Sequence, residues 1–381
     1  MKPPYAARSV KKVSGLEQRS FRKKGNSMSR YMSDRFASLE AYVPGEQPQD
    51  KQYVKLNTNE SPFPPSPQVL AAVNGEQVGR LNLYPDPECR GLRSKLAACY
   101  QVKEEQVFLA NGSDDVLNLA FMAFCDADRP VAYPDISYGF YPVYARLHNI
   151  PAREIPLREG FVLAAEDYCG LGCNIVLANP NAPSGRAIPV EDVEKILRTN
   201  PDHVVVVDEA YVDFGAESCR RLIDVYDNLL VCMTFSKSRS MAGGRLGFAL
   251  GSPGLIEDLN KLKFSTNPYN INRLTLAAAE ATLDSQAYYE QNCRTIMENR
   301  SYTVEELAKL GFTTIPSLAN FIFTRCPTCS GVELYRKLKD RGVLVRCWDK
   351  PALRDYVRVT IGSREQMDAF LSQVRAILKT C

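Results

Sequence analysis

The sequence predicts an α/β protein: a large domain with a mostly parallel sheet flanked by helices, a smaller α+β C-terminal domain and an extended N-terminal arm. Three observations predict it. Short β-branched runs alternate with helical patterns through the middle of the chain, the mark of a parallel sheet covered on both faces. Proline recurs between residues 44 and 67, as in Asn57-Thr58-Asn59-Glu60-Ser61-Pro62-Phe63-Pro64-Pro65-Ser66-Pro67, where it forbids continuous helix and favours extended chain. The length of 381 residues, against roughly 150 per domain, suits one large domain and one small one.

The expected divisions are a basic extension at 1–27, the arm at 28–78, the large domain at 79–270 and the small domain at 271–381. The extension carries Lys11-Lys12 and Arg22-Lys23-Lys24 with almost no acid. Arginine and serine with scarce acid also characterise a transit peptide, but the plainer expectation is a disordered segment with Met28 or Met32 as a natural beginning. Candidate strands of the large domain are 107–110, 130–133, 174–178, 203–208, 229–234 and 245–250. In the small domain they are 321–324, 343–346 and 356–361. Ser330-Gly331-Val332-Glu333 and Ser363-Arg364-Glu365-Gln366 read as capping boxes opening two helices.

Composition removes several function classes. Lys and Arg total 47 against 44 Asp and Glu, a net charge of +3, which argues against nucleic acid as a partner. No stretch approaches the roughly 20 apolar residues of a membrane span, and no signal-peptide core follows the N-terminus, so a soluble, cytoplasmic protein without a membrane partner is expected. The cysteines stand singly in apolar contexts, as in Phe124-Cys125 and Val231-Cys232-Met233, which suits a reducing compartment. Cys326-Pro327-Thr328-Cys329 has metal-knuckle spacing but no second pair to complete four ligands, so no metal is expected. The two histidines, His148 and His203, stand beside no nucleophile, which argues against a Ser-His-Asp engine.

The polar clusters fall at the carboxyl ends of candidate strands, where ligands collect in such sheets. Ala110-Asn111-Gly112-Ser113-Asp114 opens an apolar helix; its small residues suit a phosphate, although Ser113 also reads as a plain N-cap. Tyr133-Pro134-Asp135-Ile136-Ser137-Tyr138-Gly139 offers an aromatic face. Asn179-Pro180-Asn181-Ala182-Pro183-Ser184-Gly185 is a rigid turn in which Asn181 can donate to a ligand oxygen. Asp208 ends a four-valine run before Glu209-Ala210-Tyr211; a carboxylate there is either ion-paired or functional. Finally Leu229-Leu230-Val231-Cys232-Met233 leads into Thr234-Phe235-Ser236-Lys237 and a glycine-rich turn ending at Arg245. On position alone Lys237 reads as an ordinary strand-end lysine. With its companions it reads as an imine-forming nucleophile. A phosphate cradle, an aromatic plate, an acid, a phenol and such a lysine are together what pyridoxal 5'-phosphate needs.

That order of motifs resembles the fold-type I pyridoxal-phosphate aminotransferases of the aspartate aminotransferase class, from about Tyr31 to the C-terminus. The arm, Tyr84-Pro85-Asp86-Pro87, Gly342-Val343-Leu344-Val345-Arg346 and Val357-Arg358-Val359-Thr360-Ile361-Gly362 make it most similar to the histidinol-phosphate aminotransferase family. The resemblance implies that Lys237 carries the cofactor as an imine and moves the proton, that Asp208 pairs the pyridine nitrogen, and that Tyr211 and Asn181 bond the ring hydroxyl. It implies Tyr138 stacked on the ring, and Gly112, Ser113, Ser236 and Arg245 on the phosphate, with Tyr84 reaching in from the other subunit of a homodimer. Arg346 and Arg358, helped by Tyr42 and Asn59, would clamp the anionic end of the substrate. The implied reaction exchanges histidinol phosphate and 2-oxoglutarate for the keto phosphate and glutamate, by a ping-pong course. A sister enzyme of the same fold, an aromatic aminotransferase or a threonine-phosphate decarboxylase, is the alternative, and a non-catalytic binding domain a further one. Two departures from the common pattern are Ser238-Arg239-Ser240-Met241 after the lysine and the Ala182 and Ser184 of the asparagine turn; Arg239 reads as a solvated charge rather than the alternative, a further anion contact.

Overall fold

The computed structural model describes residues 29–37 and 39–379. The basic extension, Met28 included, lies outside the described residues. In chain order the strands are β1 (Val54–Lys55), β2 (Val107–Ala110), β3 (Val131–Pro134), β4 (Ala152–Ile155), β5 (Asn174–Ala178), β6 (Val205–Asp208), β7 (Leu229–Thr234), β8 (Gly247–Gly251), β9 (Thr313–Ile315), β10 (Phe321–Arg325), β11 (Val343–Leu344), β12 (Arg346–Cys347) and β13 (Tyr356–Thr360).

Seven strands form one sheet in the order β2-β8-β7-β6-β5-β3-β4, parallel except where β8 runs against β2 and β7. Its inner strands are buried on both faces, so successive residues serve opposite cores. Val205 and Val207 join Ile175, Leu177, Leu229 and Val231 on one side. Val206 joins Val176, Leu230, Cys232 and Phe121 on the other. This two-sided burial is why the run 204–207 is all valine rather than alternating apolar and polar. The edge strand β4 is largely exposed and carries Arg153 and Glu154, so it lacked the apolar signal that marks the others. The turn charge Arg245, placed inside the last candidate strand from sequence, instead precedes β8 in a left-handed conformation, φ 52°.

A second sheet, β12-β13-β10-β9, is antiparallel and belongs to the small α+β part. The single candidate strand 343–346 divides. Val343 and Leu344 pair with the arm strand β1 in parallel, while Arg346 and Cys347 pair with β13. The arm is thereby tied to both β11 and β13: Leu56 donates its amide to Leu344 O at 2.8 Å and accepts from Thr360 at 2.9 Å. Ser363 forms the expected reciprocal cap, with Gln366 returning to its amide. Ser330 caps its helix, Gly331–Asp340, but Glu333 turns away to Lys337 at 2.8 Å, so only half of that box forms. No helix among the described residues is long and apolar enough to cross a membrane.

Candidate active site

The sheet delivers Asp208 and Lys237 to the same end of two neighbouring strands. β6 and β7 pair in parallel with Asp208 opposite Cys232, and Lys237 follows three residues after β7 closes. Asp208 is 5% exposed. Tyr141 donates its hydroxyl to Oδ2 at 2.9 Å and the Ala210 amide donates to Oδ1 at 3.2 Å. Burial nevertheless dominates, raising the carboxyl to about 6, because two neutral donors do not replace the lost water. The nearby Lys237 acts the other way without cancelling it. Lys237 Nζ donates to Thr58 O at 3.4 Å and lies 5.8 Å from the centre of the Tyr211 ring. A small hollow is lined by Tyr138, Ala178, Ala182, Asp208, Ala210 and Tyr211.

Tyr211 receives a hydrogen bond from Asn59 Nδ2 at 3.0 Å, so the arm enters the site directly. Asn59 adopts φ 57°, a left-handed conformation that asparagine tolerates. Thr360 holds it there by accepting its amide at 2.9 Å and donating to its Oδ1 at 3.1 Å. Asn181 is buried on the same side, but its amide group donates to Ile136 O at 3.0 Å and Ser184 Oγ at 3.3 Å and its Oδ1 accepts from Ser137 at 2.7 Å. The two side chains expected on one ring hydroxyl thus reach the hollow differently, Tyr211 lining it and Asn181 bracing its loop.

The phosphate-binding expectation falls on the start of the helix Ser113–Phe124. Gly112 is its N-cap, at φ 91°, and Ser113 is the first helical residue rather than the cap. The amides of Ser113 and Asp114 have no intrahelical carbonyl to meet, which leaves an anion-binding end. A Cβ at Gly112 would stand 2.6 Å from Arg245 Nη2, and one at Gly247 would stand 2.3 Å from the Ser113 amide. Both glycines are therefore needed to let Arg245 and the helix end converge. Arg245 Nη2 lies 3.3 Å from Asp114 Oδ2, while Tyr138 donates to Asp114 Oδ1 at 2.6 Å. Ser236 is buried beside Lys237, its amide bonded to Thr234 Oγ1 at 3.1 Å. A helix end, an arginine and small residues fit a phosphate ester, and the hollow between Tyr138 and Asp208 fits a flat, basic ring; the residues present suit pyridoxal phosphate. Tyr84 does not line this hollow: it is 77% exposed and stacks on Tyr269 at 4.4 Å.

A larger cavity of about 270 Å³ opens beside the hollow, lined among others by Tyr42, Tyr138, Arg346, Trp348 and Arg358. Arg346 and Arg358 stand directly opposite one another on β12 and β13. Neither makes an ion pair with a carboxylate among the described residues. Arg358 donates only to Asn57 O at 3.1 Å, and its buried Nε has no acceptor. Arg346 donates to Pro44 O at 3.2 Å and Val43 O at 3.1 Å, and Tyr42 stacks on Phe140 at 4.1 Å. Burial lowers the pKa of Arg358, and Arg346 acts in the same direction. Facing like charges without an acid between them make a site for an anion.

Arg239 corrects the sequence reading. It is 4% exposed, not solvated, with Nη1 donating to Gln286 Oε1 at 2.9 Å and Nη2 to the Tyr100 hydroxyl at 3.4 Å. It props the lysine loop from behind. Sequence reasoning missed Asp114, Tyr141, Thr360 and Trp348. Asp114 stood within a cluster already singled out, whereas Tyr141 lies 67 residues from Asp208 and nothing local marked it.

The family model for aminotransferase class I and II matches residues 51–374. The histidinol-phosphate aminotransferase of Marinomonas sp. (strain MWYL1) is 49% identical over 353 residues, covering 92% of this chain and 100% of the relative. The chain belongs to the histidinol-phosphate aminotransferase family. The Acinetobacter baylyi aminotransferase of the same description is 45% identical and covers 93% of the chain and 99% of the relative. The solved histidinol-phosphate aminotransferase from Sinorhizobium meliloti, in complex with pyridoxal-5'-phosphate, superposes with a TM-score of 0.81 over 93% of this chain and 99% of that one, at 23% identity. That likeness establishes the aspartate-aminotransferase-like fold. The aminotransferase fold and the sheet-end position of Asp208 and Lys237 agree with the expectation from sequence.

Proposed function

We propose that the chain is a pyridoxal-phosphate-dependent transaminase that converts L-histidinol phosphate and 2-oxoglutarate to 3-(imidazol-4-yl)-2-oxopropyl phosphate and L-glutamate, in histidine biosynthesis. The observation that carries this reading is the acid-free pair Arg346 and Arg358, in a cavity that shares Tyr138 and Ala182 with the hollow lined by Asp208 and Tyr211. Family membership supports it.

Pyridoxal phosphate, when bound, supplies an electron sink for the pair left on the substrate carbon when it loses its proton. Gly112, Ser113, Ser236 and Arg245 would hold its phosphate, and Tyr138 and Tyr211 would line its ring. Asp208 would pair with the ring nitrogen and favour its protonated form, and that positive charge would favour the ionised form of Asp208 despite its burial. Lys237 would anchor the cofactor, and its free amine would serve as the base that takes the proton from the substrate carbon and as the acid that gives it back. Arg346 and Arg358, with Tyr42 and Asn59 beside them, orient the substrate by its anionic end. A planar fork accepts carboxylate and phosphate alike, so one site serves glutamate and the phosphorylated amine in turn. We also infer a homodimer in the cytoplasm, in which Tyr84, exposed and away from its own hollow, reaches the partner's phosphate site. Single cysteines in apolar surroundings, such as Cys219 and Cys232, suit that compartment.

The test is amino transfer by the cofactor-loaded protein from histidinol phosphate, phenylalanine and threonine phosphate. Preference for histidinol phosphate is expected. A preference for phenylalanine, or release of carbon dioxide from threonine phosphate, would assign the chain to a sister activity.

A further inference from the structure

Trp348 is the only tryptophan of the chain and follows directly on β12. The Arg346 guanidinium carbon lies over its ring at 5.6 Å and that of Arg358 at 5.4 Å. Arg358 also lies over Phe321 at 5.2 Å. The indole also packs against an apolar cluster of Ile315, Phe323 and Leu353, which Ile136 and Phe161 join as well. Ile136 is the residue whose carbonyl holds Asn181. One ring therefore stands beside both cations of the anion site and packs on the cluster that Ile136 joins.

The two arginines stand opposite each other without a carboxylate, an arrangement that costs free energy in an empty site. An aromatic face attracts a guanidinium without neutralising it and without occupying its N–H groups. A carboxylate in that place would compete with the substrate, whereas a ring leaves the fork's N–H groups available. From this geometry we propose that Trp348 is a positioning residue for the reaction proposed above: it holds Arg346 and Arg358 apart and aimed at one point, where a phosphate monoester or a carboxylate binds. This rests on the reading of the two arginines as the substrate clamp.

Because Trp348 is the sole tryptophan, its fluorescence reports on that point alone. Inorganic phosphate titrated into the cofactor-loaded protein is expected to change the emission saturably and to inhibit transfer competitively over the same range; in Arg358→Ala both effects are expected to vanish. Trp348→Leu should raise KM for histidinol phosphate and for glutamate about tenfold, a loss the size of a desolvated cation–π contact, with a far smaller fall in kcat. Trp348→Phe, which keeps a ring, should recover most of the loss. Competitive inhibition with no change in emission, unchanged KM values in Trp348→Leu, or equal damage in the leucine and phenylalanine variants would overturn the role of Trp348 and leave the clamp standing. Unchanged KM values in both Arg346→Ala and Arg358→Ala would overturn the clamp itself.

Discussion

A carboxylate at the end of a buried valine strand carries its own pH signature. The Asp208 pKa is raised to about 6, above that of an exposed aspartate, so between those values the folded chain binds more protons than the unfolded one. Its contribution to stability is present in full below the unfolded pKa and is lost as pH rises through about 6. The adjacent Glu209, raised by burial to about 7, behaves in the same sense. In the cofactor-free protein, Asp208→Asn is expected to melt a few degrees above wild type at pH 8, with the difference closing towards pH 4; a constant difference across that range would contradict it. Added pyridoxal phosphate should remove the wild-type deficit. For the chemistry itself, Lys237→Ala is expected to abolish the absorbance of lysine-bound cofactor and to lower kcat by at least about 10²–10⁴-fold. Arg358→Ala should raise KM about 10–100-fold for both glutamate and the phosphorylated amine, the range of a charged hydrogen-bonding contact. An effect on one substrate alone would contradict a shared clamp.

The element that links arm to site is the pair of β1 with its following turn and β13. Thr360 is buried, and its hydroxyl serves both the amide and the side chain of Asn59. Thr360→Val keeps the shape and leaves two buried polar groups of Asn59 unpaired, at a cost of about 1–3 kcal/mol. Urea unfolding measures that loss. The same variant should also raise KM, since Asn59 in turn positions Tyr211. At the C-terminal helix, Arg364–Leu378, loss of the cap in Ser363→Ala should cost about 1 kcal/mol without touching KM, because that helix lies under the small sheet and away from the hollow. The two variants together separate stability from positioning.

At the scale of the whole molecule, the groups proposed for catalysis and for substrate binding come from different sheets. Asp208 ends a strand of the large sheet and Lys237 follows another, Arg346 and Arg358 stand on the four-stranded sheet, and the arm is strand-paired to β11 while reaching the hollow through Asn59 and Tyr211. The exposed Leu81, Leu83, Tyr84 and Tyr269 form an apolar face at the segment that carries Tyr84. A dimer in sedimentation is expected, and Tyr84→Phe should weaken cofactor retention. Mixing Tyr84→Phe with Lys237→Ala chains supplies the sharper check: a mixed dimer pairs an intact lysine with an intact tyrosine only if the sites are shared. Retention at wild-type level in one site of such dimers is the expected result; its absence would place Tyr84 outside the site.

By itself the sequence determined the parts that depend on local chemistry. Four valines before Asp208, glycines at 112 and 247 and a lysine after an apolar strand specify their conformations through burial and backbone freedom, which neighbouring residues express. The same held for the apolar inner strands, while the exposed β4 escaped notice for lack of that pattern. Tertiary structure decided what depends on distant residues meeting. It set Tyr141 on Asp208, buried Arg239 behind the lysine loop, split 343–346 between two partners and brought Trp348 under both arginines. A side chain's type states what it can bond, but which partner it meets is fixed by packing across scores of residues, and no local pattern encodes that.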